Sequence, residues 1–327
     1  MRSLVTVLAF AYLAVQPPAT TRSASICAYW TQGIESKGAL DTAGIKRICV
    51  PAAQADAWRS SGLEVVGVSD ADLAARETLQ VPGIVARAGV ASPTRAPWIA
   101  TNGSRFMRAP TGKYLYAVPA GKATLAAAEA FAYGADALIK MDPADAEPLG
   151  SMQAFLGTLP AVDLPAVADL GMVDDGSPVA GEAMNLLVRR NLLFEIVKSP
   201  SAKYRLNVAI GSPDFPAKEA ADPSAFAQRI RQRLTDEQRS LRIFGSEVVI
   251  GRLTSDGARA RLQLLNYGGR DIDGLRVRLR GALTPTGAHV SGVDATTVSD
   301  LTVADGFTEF SVPKLTIYGV IDLGGAK

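Results

Sequence analysis

The chain changes its hydrophobic grammar once, near residue 241, and that change confines it to a parallel α/β part followed by an all-β part. From residue 26, short apolar runs alternate with helix-like segments: "ICAYW" then "ESKGALDTAG", "KRICV" then "AQADAWRSSG", "LEVVGV" then "SDADLAARETL". Gly44 and Gly62 stop the first two helical segments, and Ser69 and Asp70 are suited to cap the third. Strands alternating with helices of this length imply βαβ units and a parallel sheet. After residue 241 the period becomes two, in "LRIFGSEVVIGRLTSDGARARLQLLNYGGRDIDGLRVRLRG" and again in "TVADGFTEFSVPKLTIYGVIDL". Short strands with turns at "SDG", "YGGRD" and "DG" predict an antiparallel β-sandwich over residues 241–327.

Between residues 80 and 112 the βα rhythm breaks into a segment rich in Pro, Gly, Ser, Thr and Arg. It then resumes: "KYLYAVP" as strand, the alanine-rich "AGKATLAAAEAFAYG" as helix, "ADALIKM" as strand and "AEPLGSMQAFLGTL" as helix. "VADLGMV" is the next strand. "DDGS" is its turn, and Ser177 and Pro178 suit the first positions of the helix "PVAGEAMNLLVRRN". "LLFEIV" and "YRLNVAIG" read as strands, followed by a helix around "SAFAQRIRQRLTDEQRS".

The first 25 residues stand apart. Arg2 precedes the apolar run "LVTVLAFAYLAV", and "QPPATTRSAS" follows with a helix break and small residues, the order of a secretory signal peptide with its exit near residue 25. The run is too short to span a bilayer, which takes about 20 apolar residues. Export, without a membrane-spanning segment after signal removal, is the expectation. In an oxidising compartment Cys27 and Cys49 are able to pair. Placed on neighbouring parallel strands, they carry an offset of several ångströms, which predicts two buried thiols rather than a bridge.

The charge balance is even, 34 Lys and Arg against 32 Asp and Glu, so no nucleic-acid partner is expected. With one histidine, His289, placed in the β part, imidazole-dependent nucleophiles have no support. One histidine and two cysteines also exclude the usual zinc sets, and no phosphate-binding glycine loop follows a strand, so neither metal nor cofactor is expected. Carboxylate chemistry survives this filter. A pair of Asp or Glu groups about 5–10 Å apart suffices for glycoside hydrolysis, and parallel α/β folds place their sites at the C-terminal strand ends. The candidates there are Glu35, Asp142 and Asp174, the last beside Asp175. Each has a structural alternative in turn or cap hydrogen bonding. Trp30, Trp98 and Tyr116, within a set that includes Tyr29, Phe106 and Tyr114, are candidate platforms for a carbohydrate ring, with core packing as the alternative. Arg105, with Arg95 and Arg108, is the candidate for an anionic group.

"LGMVDDGSPVAGEAMNLLVRRNLLFEIV" resembles the strand-helix-strand unit of the glutamine-amidotransferase-like domain that follows the catalytic barrel in some glycoside hydrolases. "RLQLLNYGGRDIDGLRVRLRG" and "LTIYGVIDL" resemble the β-sandwich tail that comes after it. The resemblance covers residues 165–327 and implies an amidotransferase-like region at 166–240 ahead of the sandwich at 241–327; with the signal peptide read at 1–25, residues 26–165 are left as a barrel-like α/β domain. It also implies that this region is inert as an amidase, because no cysteine follows Cys49. The front is shorter than a complete (β/α)₈ barrel, so it is either a truncated barrel or an open α/β sheet. The functional readings are an exported carbohydrate-active protein using paired carboxylates, a non-catalytic carbohydrate-binding protein, and an envelope interaction module.

Overall fold

The computed structural model describes residues 24–85 and 98–325. The expected signal segment, apart from its last two residues, and Arg95 lie outside the described residues. Strands β1 (Ser25–Tyr29), β2 (Arg47–Pro51) and β3 (Glu64–Val68) alternate with the short helices α1 (Lys37–Thr42) and α2 (Ala55–Trp58). Helix α3 (Asp70–Ala74) is capped by Ser69, whose Oγ accepts from the Asp72 amide. It ends five residues earlier than "SDADLAARETL" suggests, and Glu77–Leu79 is strand β4. The cause is tertiary. Arg76 turns inward to Asp136 at 2.9 Å and to the Tyr114 carbonyl at 3.1 Å, and β4 pairs in parallel beyond it.

The irregular segment contributes an antiparallel pair, β5 (Gly83–Val85) and β6 (Trp98–Ala100), and helix α4 (Gly103–Arg108). Then follow β7 (Lys113–Ala117), α5 (Ala123–Tyr133), β8 (Asp136–Lys140) and α6 (Ala146–Thr158). The six parallel strands order as β3-β2-β1-β8-β7-β4. This is chain order bent round so that β8 meets β1, with no pairing between β3 and β4 among the described residues. The sheet is therefore open, and barrel closure is not observed.

One face of this sheet, with Ala28, Tyr114, Tyr116, Ala137 and Ile139, packs on α5 and α6 in the largest core. Six of the alanines in α5 are buried there; their small side chains let the helix approach the strands closely. The other face carries Cys27, Tyr29, Cys49, Val68 and Leu138. Cys27 and Cys49 are bridged, with Cα atoms 5.8 Å apart, so the expectation of free thiols is corrected. Tyr29 pairs with Cys49, which places Cys27 two residues back on the same face. The stagger of the parallel pair brings the diagonal into bridging range.

Strands β9 (Leu170–Val173), β10 (Phe194–Val197) and β11 (Leu206–Val208) form a separate parallel sheet in the order β10-β9-β11. It is joined by α7 (Pro178–Arg189) and covered also by α8 (Pro223–Leu234). Ser177 caps α7 by accepting from the Ala180 amide, and Pro178 takes the first helical position. This compact βαβ unit is what residues 166–240 present; it carries no more specific link to an amidotransferase.

The remaining strands are β12 (Leu241–Phe244), β13 (Val249–Ser255), β14 (Arg259–Asn266), β15 (Ile272–Arg280), β16 (Leu283–Val290), β17 (Ser299–Ala304), β18 (Phe307–Leu315) and β19 (Tyr318–Gly325). They make two four-stranded antiparallel sheets, β12-β15-β18-β17 and β13-β14-β19-β16, around a second core. Asp305 and Gly306, both at positive φ, form the two-residue turn between β17 and β18 that suits the twist of a hairpin.

A buried polar clasp ties the parallel sheet to the sandwich. Glu129, in the middle of α5, is fully buried. Its Oε1 accepts from Thr101 Oγ1 and the Asn102 amide at 2.8 Å and from the Tyr267 hydroxyl at 2.6 Å. Its Oε2 accepts from the Tyr116 hydroxyl at 2.5 Å and Asn102 Nδ2 at 2.9 Å. Tyr267 follows β14, so one carboxylate joins the α/β part, the residues after β6 and the sandwich. Burial first, and Glu129 second, push the pKa values of Tyr116 and Tyr267 well up, so both phenols stay protonated donors.

Candidate ligand-binding edge of the parallel sheet

Parallel sheets leave their functional groups at the C-terminal strand ends, where loops diverge. Here β7 ends at Ala117 and β8 at Lys140, and the register aligns Ala117, Lys140 and Tyr29 across three neighbouring strands. In-register neighbours share a face, so the Lys140 ammonium stem rises between an exposed alanine and a buried tyrosine. Ala117, Val118, Pro119, Lys140, Met141 and Asp142 line a shallow, open depression of about 350 Å³ at this edge.

The chain that leaves the edge is held by its own carboxylates. Asp142 begins the turn after β8 and accepts from the Ala144 amide at 2.9 Å through Oδ1, with Pro143 next. Asp145 is buried and accepts from the Gly121, Lys122 and Ala123 amides at 2.6, 3.2 and 3.1 Å. Its carboxylate fills the N-terminus of α5, the position where an anion would otherwise be attracted. Only Asp142 among the carboxylates faces the depression, with Oδ2 unpartnered among the described residues.

The other expected site residues are placed elsewhere. Glu35 is exposed on a single 3-10 turn after β1 and folds back over Gly33, where a Cβ would lie 2.3 Å from its carboxylate. Asp174 sits on the smaller parallel sheet, held by a two-pronged pair with Arg108: Nε to Oδ2 at 2.7 Å and Nη2 to Oδ1 at 2.6 Å. It also accepts from the Gly176 amide at 2.9 Å. The Arg108 hydrogen bonds hold its carboxyl below the usual carboxylate range, which suits a structural anion and disfavours a proton donor. Asp175 caps the Ser177 amide at 2.9 Å. The lining of the depression therefore brings in Asp142 without Glu35 or Asp174.

Two of the three aromatic candidates lie in the core. Trp30 is 2% exposed, donates through Nε1 to Ser36 Oγ at 2.8 Å and packs with Trp58, Leu40 and Ile48. Tyr116 is 0% exposed and belongs to the Glu129 clasp. Neither offers a ring face to a ligand. Trp98 is half-buried, and the Arg189 guanidinium lies 3.6 Å over its ring. Arg105 pairs with Glu77 on the surface, so neither it nor Arg108 is drawn to the depression. Among the described residues, no group of three or more His, Cys, Asp or Glu side chains is placed to hold a metal ion.

Sequence reasoning missed Lys140 and Glu129. The signal for Lys140 was a charge closing the apolar run "ALIK". For Glu129 it was the lone acid in a helix that is otherwise apolar all round, a pattern that demands a buried partner.

No protein-family model matches the sequence, and comparison with curated proteins found no match. Among solved structures, the alpha-L-fucosidase isoenzyme 2 of Paenibacillus thiaminolyticus is 11% identical, with 68% of this chain and 62% of that chain covered and a TM-score of 0.47. Gan42B, a GH42 beta-galactosidase from G. stearothermophilus, is 10% identical over 92% of this chain and 59% of that one, with a TM-score of 0.37. Xyn30A, a glycoside hydrolase family 30 subfamily 8 xylanase from Clostridium acetobutylicum, is 11% identical over 94% and 97%, with a TM-score of 0.25. The chain spans less than two thirds of the fucosidase and of the galactosidase. These structural neighbours are glycoside hydrolases.

Proposed function

We propose that this chain is an exported carbohydrate-binding protein that seats its ligand at the C-terminal edge of the six-stranded sheet and does not hydrolyse it. The observation that carries this reading is the composition of the depression: one ammonium, Lys140, and one carboxylate, Asp142, across a floor of Ala117, Val118, Pro119 and Met141. A sugar hydroxyl both donates and accepts, so an acceptor beside a donor suits it, while the apolar lining suits the C–H face of the ring. Two-carboxylate hydrolysis needs a second acid in the same cleft. Asp145 is committed to three backbone amides and Asp174 to Arg108. Export is part of the proposal. It is supported by the N-terminal apolar run and by the Cys27–Cys49 bridge, which suits an oxidising compartment.

The test is a thermal-shift scan of the mature chain against neutral mono- and oligosaccharides. A ligand present at about 100 times its Kd adds about 2.7 kcal/mol to stability. The expected result is a hit abolished by Lys140→Gln with Asp142→Asn and kept by Trp98→Ala. A hit indifferent to the double substitution would overturn the placement of the site.

A further inference from the structure

The outer face of the β12-β15-β18-β17 sheet carries a ladder of arginines. On β15, Val277 and Leu279 are fully buried in the sandwich core, and the period of two sends Arg276, Arg278 and Arg280 to the opposite face. Arg242 of β12 stands opposite Arg278, and Phe244 opposite Arg276. On the other side Glu309 stands opposite Arg278, and Phe307 opposite Arg280.

Positive charge exceeds negative here. Glu309 is divided between Arg276 at 3.1 Å and Arg278 at 3.2 Å. Asp236 is divided among Arg231, Arg239 and Arg242, and Arg205 draws on Asp169. Arg280 donates to the Glu237 carbonyl oxygen, has no ion pair among the described residues, and leaves its Nε–H without an acceptor. Burial, with Arg205 and Arg278 close by, pulls the Arg280 pKa below the ordinary arginine value against the opposite pull of Asp169. Crowded guanidinium groups of this kind are stabilised by an added anion.

The geometry also selects the kind of anion. Alternate residues on a strand are about 6.6 Å apart, so the three β15 stems form an extended row rather than a nest closing on one phosphate. The phenyl rings along the row are already covered: Arg242 lies 4.7 Å from the Phe244 centroid, and Arg278 and Arg280 lie 3.8 and 5.2 Å from that of Phe307. Those covered rings disfavour stacking of nucleic-acid bases. The planar fork of arginine matches carboxylate and sulfate groups. We propose that this face binds a linear acidic polysaccharide, whose carboxylate or sulfate groups seat on the guanidinium row along β15. The proposal does not rest on the strand-end depression, which is lined by other residues.

The experiment measures binding of polygalacturonate and dextran sulfate to the full mature chain, with neutral dextran, single-stranded DNA and phosphatidylserine vesicles as comparisons, between about 50 and 200 mM salt. The expected result is salt-sensitive binding of the acidic polysaccharides that R276Q/R278Q/R280Q weakens about tenfold or more and that R276K/R278K/R280K retains in part. Arg280→Gln alone, which strands no carboxylate, keeps the test valid should the triple variant misfold; it is expected to weaken binding by about threefold or more. Unchanged affinity in Arg280→Gln, no binding of either polysaccharide, or tighter binding of DNA or vesicles would each overturn the proposal.

Discussion

Replacing Glu129 by Gln tests whether the buried carboxylate holds the molecule together. The change keeps volume and removes one pure acceptor. If the amide oxygen stays at Oε1, it keeps Thr101 Oγ1, the Asn102 amide and Tyr267. The new NH₂ group then faces the Tyr116 hydroxyl and Asn102 Nδ2, both donors. Hydrogen bonds to a carboxylate are worth about 1.5–3 kcal/mol each, so losing two costs about 3–6 kcal/mol. Tyr116 recovers part of this by turning its hydroxyl to accept. Asn102 recovers little: a flip would offer its unpartnered Oδ1 but would break the 3.0 Å bond from Nδ2 to the Gln80 carbonyl. The net expectation is a loss of about 2–4 kcal/mol, a large share of the about 5–15 kcal/mol of a typical domain. The assay is urea unfolding of the chain followed by both tryptophan fluorescence and far-UV circular dichroism. Tyr267→Phe is expected to cost less than Glu129→Gln, and the double variant less than the sum, because the two groups touch. A loss below about 0.5 kcal/mol for Glu129→Gln, the scale of an ordinary surface change, would refute the reasoning.

Three further expectations come from the same structure. Arg108 lowers the folded-state pKa of Asp174, so its stabilisation is present above the unfolded value near about 3.9 and is lost as pH falls through the lower folded value; acid-unfolding profiles of wild type and Asp174→Asn should converge at the acid end and separate above it. Removing the Cys27–Cys49 bridge, which spans 22 residues in sequence, by Cys27→Ser with Cys49→Ser should lower stability by about 3 kcal/mol, read by denaturant titration against the oxidised chain. A Cβ at Gly150 would lie 1.9 Å from the Ala43 carbonyl oxygen, so Gly150→Ala must push α6 away from the end of α1 and should cost about 1–3 kcal/mol or more in thermal unfolding.

The sandwich was legible because its signals are local: a period of two, and turns marked by Gly with Asp or Asn, fall within each hairpin. The α/β order was legible for the same reason wherever a strand and its helix are contiguous. Strand β4 was not, because "RETL" continues a helical pattern locally and becomes a strand only through its pairing with β7 and the inward turn of Arg76. The disulfide was missed because it depends on the stagger between two strands, a distance no spacing in the chain encodes. Trp30 and Tyr116 were misplaced because large aromatics have the same composition signature in a core as at a binding face. The acceptor role of Glu129 was hidden because one of its partners, Tyr267, lies 138 residues away. Asp142, by contrast, follows a strand end, where the general logic of parallel sheets expects a polar residue, and Lys140 closes the strand before it.

The most direct test of binding without hydrolysis is prolonged incubation of the chain with a saccharide that it binds, followed by measurement of released reducing ends. Saturable binding with no release above the uncatalysed background is expected, for wild type and Asp142→Asn alike. Release that follows Michaelis–Menten saturation and disappears in Asp142→Asn would contradict it, and would require a second acid brought to Asp142 by the ligand.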